Sequence, residues 1–247
     1  MDEESCRFVE GVWMHNFFRD DAIRSAINYK PREGDIIVVT YPKCGTNWMV
    51  FIVYSILMRG KQPSDTVEYY RMCPFIDVIG TALAEHPSRT GPIFTHLPMS
   101  VFPPMGNAKY VYVARNPYDC AVSFYHFLKG YTPKSFADVS FERFLTLFLS
   151  GKTITSHFFC GAQVTYGDYF DHLLPWYERR NDANVLFLTY EELKADTKGQ
   201  VLKIADFLGK QYAAPLREDN SVLQDVLNAC SVENMKASSK KIRWKRP

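Results

Sequence analysis

The sequence predicts an α/β fold in three layers, with a central parallel sheet and helices on both faces. Two observations predict it. Short apolar runs that read as buried strands, among them Ile36-Ile37-Val38-Val39, KYVYVA (Lys109 to Ala114) and VLFLT (Val185 to Thr189), alternate with segments whose apolar residues recur at helical spacing. Polar, ligand-capable residues follow three of the strands, and the carboxyl ends of parallel strands are where such sheets bind ligands.

The elements follow in order. Residues 17–29 read as a short helix, and Pro31 to Gly34 as the turn before a first strand, 35–40. A helix is expected over 46–59, ending at Gly60. Segment 61–90 is broken by Pro63, Pro74 and Pro87 and carries no readable motif. Ile93 to His96 is a short strand stopped by Leu97-Pro98. The strand Lys109 to Ala114 runs into Arg115-Asn116-Pro117 and then a helix, 118–128, with Ala121, Val122, Phe124, Tyr125 and Leu128 on its apolar face. After Val185 to Thr189 come Tyr190 and helical sequence with Leu193 and Val201 to Leu208, closed by Gly209. No internal repeat or low-complexity linker interrupts the chain, so a single domain over 1–247 is expected, with a basic tail at 236–247.

Composition narrows the function. A chain of 247 residues, 47% hydrophobic and 15% aromatic, can fill one large core. A formal net charge of +2 gives no bulk electrostatic case for nucleic acid or membrane as partner. The basic residues Lys236, Lys240, Lys241, Arg243, Lys245 and Arg246 crowd the tail with no acid among them. The acidic start MDEESCRFVEGVW is not a signal peptide, and no apolar run is long enough to cross a bilayer. The six cysteines are scattered without a CxxC pair, so neither a disulfide framework nor a metal site is expected, and a cytoplasmic location fits.

The chemistry concentrates in three places. Val38 to Val50 reads as strand, short polar loop and helix, with Lys43, Cys44, Gly45, Thr46 and Asn47 in the loop and Trp48 opening the next apolar run. That arrangement aims free backbone N–H groups at an anion and adds a lysine charge; the alternative is a generic strand-to-helix turn. It is not a Walker A loop, because Lys43 precedes Gly45 and the magnesium-binding hydroxyl after the lysine is absent. Cys44 is either a nucleophile or a small loop residue. Arg115, at a strand end, supplies a fixed fork for phosphate, and Ser123 lies about two helical turns further on; the same segment also reads as a plain helix start with Asp119 complementing the dipole. His96 is either structural or, beside a phosphate cradle, a general base.

Together these segments resemble the cytosolic sulfotransferases. TYPKCGTNW is similar to that family's TYPKSGTTW, FTHLP to KTHLP, VYVARNPYDCAVSFYHF to YVARNPKDVAVSYYHF, and LFLTYEELKAD to LFLTYEDMKED, in the same order and spacing over about residues 30–236. The resemblance implies a P-loop-like version of the α/β fold and 3′-phosphoadenylyl sulfate (PAPS) as donor, without a metal. It implies Lys43 at the bridging and leaving oxygens, Cys44, Gly45, Thr46 and Asn47 in the 5′-phosphate cradle, Trp48 and Tyr190 near the adenine, Arg115 and Ser123 at the 3′-phosphate, and His96 as the base. Phe75 and Phe127 fall where family members place pocket aromatics, and with Phe94 they are expected on the acceptor side, so the implied acceptor is a small phenol, monoamine or steroid.

Five departures stand out, those at Asn47 and Cys44 mild and the ending the largest. Phe94 stands where the family has lysine, Asn47 replaces threonine, Cys44 replaces serine, and Val232 replaces an aromatic. After Lys236 the sequence runs ASSKKIRWKRP, without the RKGxxGDWK segment that carries 3′-phosphate binding and the dimer motif. The expectation is therefore a C-terminally truncated, monomeric member. A nucleotide-binding homologue with little turnover is the competing reading, and a P-loop kinase is a third that the loop argues against.

Overall fold

The computed structural model describes residues 6–131, 139–150, 166–231 and 233–235; Val232 and the basic tail 236–247 lie outside the described residues. Four strands form the central sheet: β3 (Ile36–Thr40), β4 (Ile93–Thr95), β5 (Lys109–Ala114) and β6 (Val185–Thr189), preceded by a hairpin of β1 (Cys6–Val9) and β2 (Val12–His15). The sheet is parallel throughout, in the order β4-β3-β5-β6. From β3 the chain steps outward to β4 and then returns across β3 to β5. The order reverses between β3 and β5, and it is beyond the carboxyl ends of the strands at such a point that parallel sheets bind ligands.

The register brings those ends level. Val39 lies opposite Thr95 on one side and Tyr112 on the other, and Ala114 lies opposite Thr189. Side chains alternate across the sheet because the strand period is two. Val38, Val111, Val113 and Leu188 pack on one face against helix α2 (Thr46–Leu57) and the later C-terminal helices. Ile37, Val39, Tyr110 and Tyr112 pack on the other against α1 (Asp20–Ile27), Trp176 and the hairpin residues Val9, Val12 and Met14. The expected three layers are present. Helix α2 is buried from Met49 to Ile56 on every side, which explains why its sequence is apolar all round.

Two short helices, α3 (Thr66–Met72) and α4 (Ile76–Ile79), occupy the proline-broken segment. The helix expected at 118–128 is α5 (Pro117–Tyr131); α6 (Phe141–Ser150) follows it, and α7 (Tyr169–Glu178) leads back towards the sheet. After β6 the chain forms α8 (Tyr190–Ala195), α9 (Thr197–Leu208), α10 (Lys210–Glu218) and α11 (Asn220–Ala229). The N-terminal hairpin was not expected. Its strands have four residues each, and Glu10 and Gly11, with φ of 48° and 85°, make the left-handed turn between them.

The far end of β3 is held by a buried ion pair. Asp35, 3% exposed, meets the Arg89 guanidinium and accepts from the Tyr29 hydroxyl at 2.7 Å and the Arg32 N–H at 2.8 Å. Arg89→Ala leaves that carboxylate buried without its main partner. We expect it to cost about 3 kcal/mol in urea unfolding.

Candidate active site

All four sheet strands end on the candidate residues. His96 directly follows β4, Arg115 follows β5, Tyr190 follows β6, and Lys43 lies three residues beyond β3. The topology collects four segments far apart in sequence onto one sheet edge.

The loop after β3 takes its shape from two left-handed residues, Lys43 at φ 72° and Gly45 at φ 98°. Gly45 caps α2, whose first turn has no side-chain cap and no acid. A Cβ at Gly45 would lie 2.8 Å from the Tyr190 ring, so both backbone and space demand glycine. Cys44 is fully buried below the loop. Its thiol points to the Cys120 sulfur at 3.7 Å, which in turn reaches the Pro42 carbonyl at 3.3 Å. Burial pushes the Cys44 thiol well up, so it fits the small-loop-residue reading rather than that of a nucleophile, and only its main chain is left to face a ligand.

Tyr190 organises this sheet edge. Arg115 lies over its ring at 4.6 Å, Trp48 meets it edge-on at 5.5 Å, and Gly45 abuts it. The Trp48 indole N–H donates to the Cys230 carbonyl at 3.0 Å, fixing the ring. Arg115 donates from Nη1 to the Lys43 carbonyl at 3.0 Å, while its Nε is buried with no partner. Ser123 is half-buried on α5 and has no hydrogen-bond partner among the described residues; Asn47 is exposed. The Lys43 ammonium sits over the Phe127 ring at 4.4 Å, and burial, with the Arg115 charge adding, lowers its pKa.

His96 is tied to the same loop. Its Nδ1 lies 2.7 Å from the Thr40 carbonyl and 3.2 Å from the Thr40 hydroxyl, which is 2.6 Å from that of Thr46. A carbonyl only accepts, so Nδ1 carries the proton and Nε2 keeps its lone pair. Nε2 makes no hydrogen bond among the described residues. Burial and the neighbouring Lys43 charge lower the imidazole pKa to about 4, partly opposed by the Thr40 hydrogen bond, so it is neutral at neutral pH.

Phe75 packs edge-on against the imidazole at 5.1 Å and Tyr166 at 5.3 Å. Phe94 stacks on Phe75 at 4.7 Å and is itself almost wholly buried, so it supports the pocket from behind; Phe127, 41% exposed, stands beside Lys43. Sequence reasoning missed Thr40 and Tyr166. Thr40 was legible as the last strand residue before the loop, whereas nothing local marks Tyr166. Among the described residues no group of three metal-ligating side chains occurs, and no helix is long and apolar enough to cross a membrane.

Residues 33–244 match the family described as "Sulfotransferase domain". Cytosolic sulfotransferase 13 of Arabidopsis thaliana is 30% identical over 240 residues, covering 92% of this chain and 69% of that protein. The chain belongs to the cytosolic sulfotransferase family. Sulfotransferase 2B1 of Mus musculus is 36% identical over 215 residues, where this sulfotransferase spans 58% of the relative's length. Mouse sulfotransferase SULT7A1, solved in complex with PAP, superposes with a TM-score of 0.68 at 26% identity over 94% of this sulfotransferase and 76% of that chain. The P-loop-like α/β fold expected from the sequence is thereby shown.

Proposed function

We propose that this sulfotransferase moves a sulfuryl group from PAPS to a hydroxyl or amine of a small apolar acceptor, with His96 as general base. The observation that carries the reading is the His96 tautomer: a neutral imidazole, its Nδ1–H given to Thr40, with a free Nε2 on the same sheet edge as Lys43. The donor fits the residues present. The unpartnered Arg115 Nε suits a phosphate oxygen, and the first turn of α2 has no side-chain cap occupying its N–H groups. A family member solved with PAP agrees with that donor.

When bound, PAPS supplies a sulfuryl group on a phosphate leaving group. The Gly45–Trp48 turn holds the 5′-phosphate, Arg115 and Ser123 the 3′-phosphate, and Trp48 and Tyr190 flank the base. As the acceptor oxygen bonds to sulfur, its proton passes to His96 Nε2. The sulfur–oxygen bond to phosphate breaks and PAP departs with the electron pair, its growing charge met by Lys43. Phe75, with Phe94 behind it, and Tyr166 give the acceptor an apolar wall, which suits a phenol, monoamine or steroid.

Calorimetric titration with PAP, followed by acceptor-dependent release of PAP from PAPS, tests the proposal; neither binding nor release would refute it. Phe94 favours a second reading, because a phenyl ring stands where the family has a cation. PAP binding with no release across phenols, amines and steroids would establish that one.

Two expected outcomes arise here. Gly45→Ala strains a left-handed position and drives a Cβ into Tyr190, so PAP affinity falls at least tenfold in the same titration. The pH dependence follows from the lowered His96 pKa. The base works when neutral, so protonation of His96 itself cuts kcat/KM only towards about pH 4, instead of near the usual 6.5. The Asp77 carboxyl, raised to about 6, is the group whose protonation would touch the rate between pH 7 and 5, so the His96 limb is read in Asp77→Asn, where an acid limb at 6.5 would show that His96 is not buried as described.

A further inference from the structure

We infer that Asp77 and His172 are positioning residues for sulfuryl transfer, which hold the candidate base by both ends of its main chain. The inference rests on the reading of His96 as the base. Asp77, on α4, is completely buried. Its Oδ2 accepts the His96 backbone N–H at 2.8 Å, and its Oδ1 accepts the Thr95 hydroxyl at 2.5 Å. The Thr95 oxygen in turn accepts the Leu97 N–H at 3.0 Å. On the other side His172, on α7 and 1% exposed, lies with Nε2 at 3.0 Å from the His96 carbonyl. That carbonyl cannot donate, so His172 carries its proton on Nε2. Its Nδ1 therefore accepts from the Tyr112 hydroxyl, 2.9 Å away.

The need for such a clamp is local. Strand β4 ends at Thr95, so His96 stands one residue past the last sheet pairing. Its backbone has left the ladder, and side chains from two helices replace the missing strand bonds. With Nδ1 fixed on Thr40, the base is anchored from three separate elements and the direction of Nε2 is set.

The clamp is costly to the fold. Burial raises the Asp77 carboxyl to about 6 and depresses His172 to about 3, both against their charged forms, and the Tyr166 hydroxyl faces Asp77 short of hydrogen-bond geometry. Apolar side chains of the same size would pack without that desolvation cost. What they could not do is hold an N–H and a carbonyl at a fixed place, and a displacement of about 1 Å at a reacting group is worth about a hundredfold in rate.

Paired variants test this. His172→Leu keeps the bulk and removes the donor; His172→Gln keeps an N–H. Asp77→Leu removes the acceptor for the His96 N–H; Asp77→Asn keeps one. For each pair we expect the leucine variant to lose about 30-fold in kcat, with PAP affinity and acceptor KM within twofold of wild type, and the amide variant to recover most of the rate. Melting curves identify any leucine variant that does not fold, and the pair at the other end of the peptide then decides. Equal losses in the leucine and amide variants, or losses that appear in KM or PAP affinity, overturn the inference. In a His96→Ala background His172→Leu should cost no further rate; an additive loss places its action elsewhere. Wild-type turnover by His96→Ala alone would instead overturn the reading of the base.

Discussion

His96→Ala lowers kcat by about a thousandfold and leaves PAP binding unchanged, the magnitude general-base removal has elsewhere. The expectation follows from how the imidazole is held. Its contacts run to Thr40, Phe75, Tyr166 and the clamp from Asp77 and His172, and none of these belongs to the cradle formed by Gly45, Trp48, Arg115 and Tyr190. Truncation therefore removes the proposed proton acceptor and reaches the donor side only through the Thr40 hydroxyl, which also meets that of Thr46. His96→Asn, which keeps bulk and a hydrogen bond to Thr40 but has no basic nitrogen, should be as slow as the alanine variant. Single-turnover measurement of sulfate transfer, beside PAP titration, separates the two effects. A loss confined to PAP affinity would mean that the histidine belongs to the donor site.

Lys43→Ala should lower kcat by about two to three orders of magnitude, because on the proposed reading it removes the cation that meets the leaving oxygen in a partly dry site. The lysine is prepared for that task. Its backbone is held left-handed, Arg115 donates to its carbonyl, and its ammonium rests over Phe127 within a setting that lowers its pKa. Lys43→Arg should not restore the rate, since a planar fork cannot occupy the point position of an ammonium on so short a loop. Rate and PAP affinity measured for both variants check this. Arginine restoring full turnover would show that charge alone, without its placement, is what the site requires.

The contrast between these residues and the clamp explains what could be read in the sequence. Strands β3 and β5 are dense runs of β-branched and aromatic residues buried on both faces, and β6 is an apolar edge strand half-buried at Leu186, Phe187 and Thr189, so the bounds of all three were legible almost to the residue. Lys43, Arg115 and His96 were legible because each follows such a run within three residues. The hairpin and the short α3 and α4 were not, being too brief for any period to register. The expected helix at 17–29 contracts to Asp20–Ile27, where Asp20 and Asp21 open the first turn. Asp77 and His172 were invisible for a different reason. Asp77 is a lone polar residue in an apolar stretch and His172 one polar residue beside Asp171 on a helix, and the meaning of each lies in contacts with His96, 19 and 76 positions away in the chain. Phe94 shows the opposite case: the sequence marked the substitution, and the fold supplied its setting, a ring stacked on Phe75 behind the imidazole.

The most direct test of the account is transfer of labelled sulfate from PAPS to a panel of phenols, catecholamines and steroids by the wild-type chain. Labelled sulfated product from at least one class, with turnover lost in both His96→Ala and Lys43→Ala, is the predicted result. Tight PAP binding without product from any acceptor would contradict it.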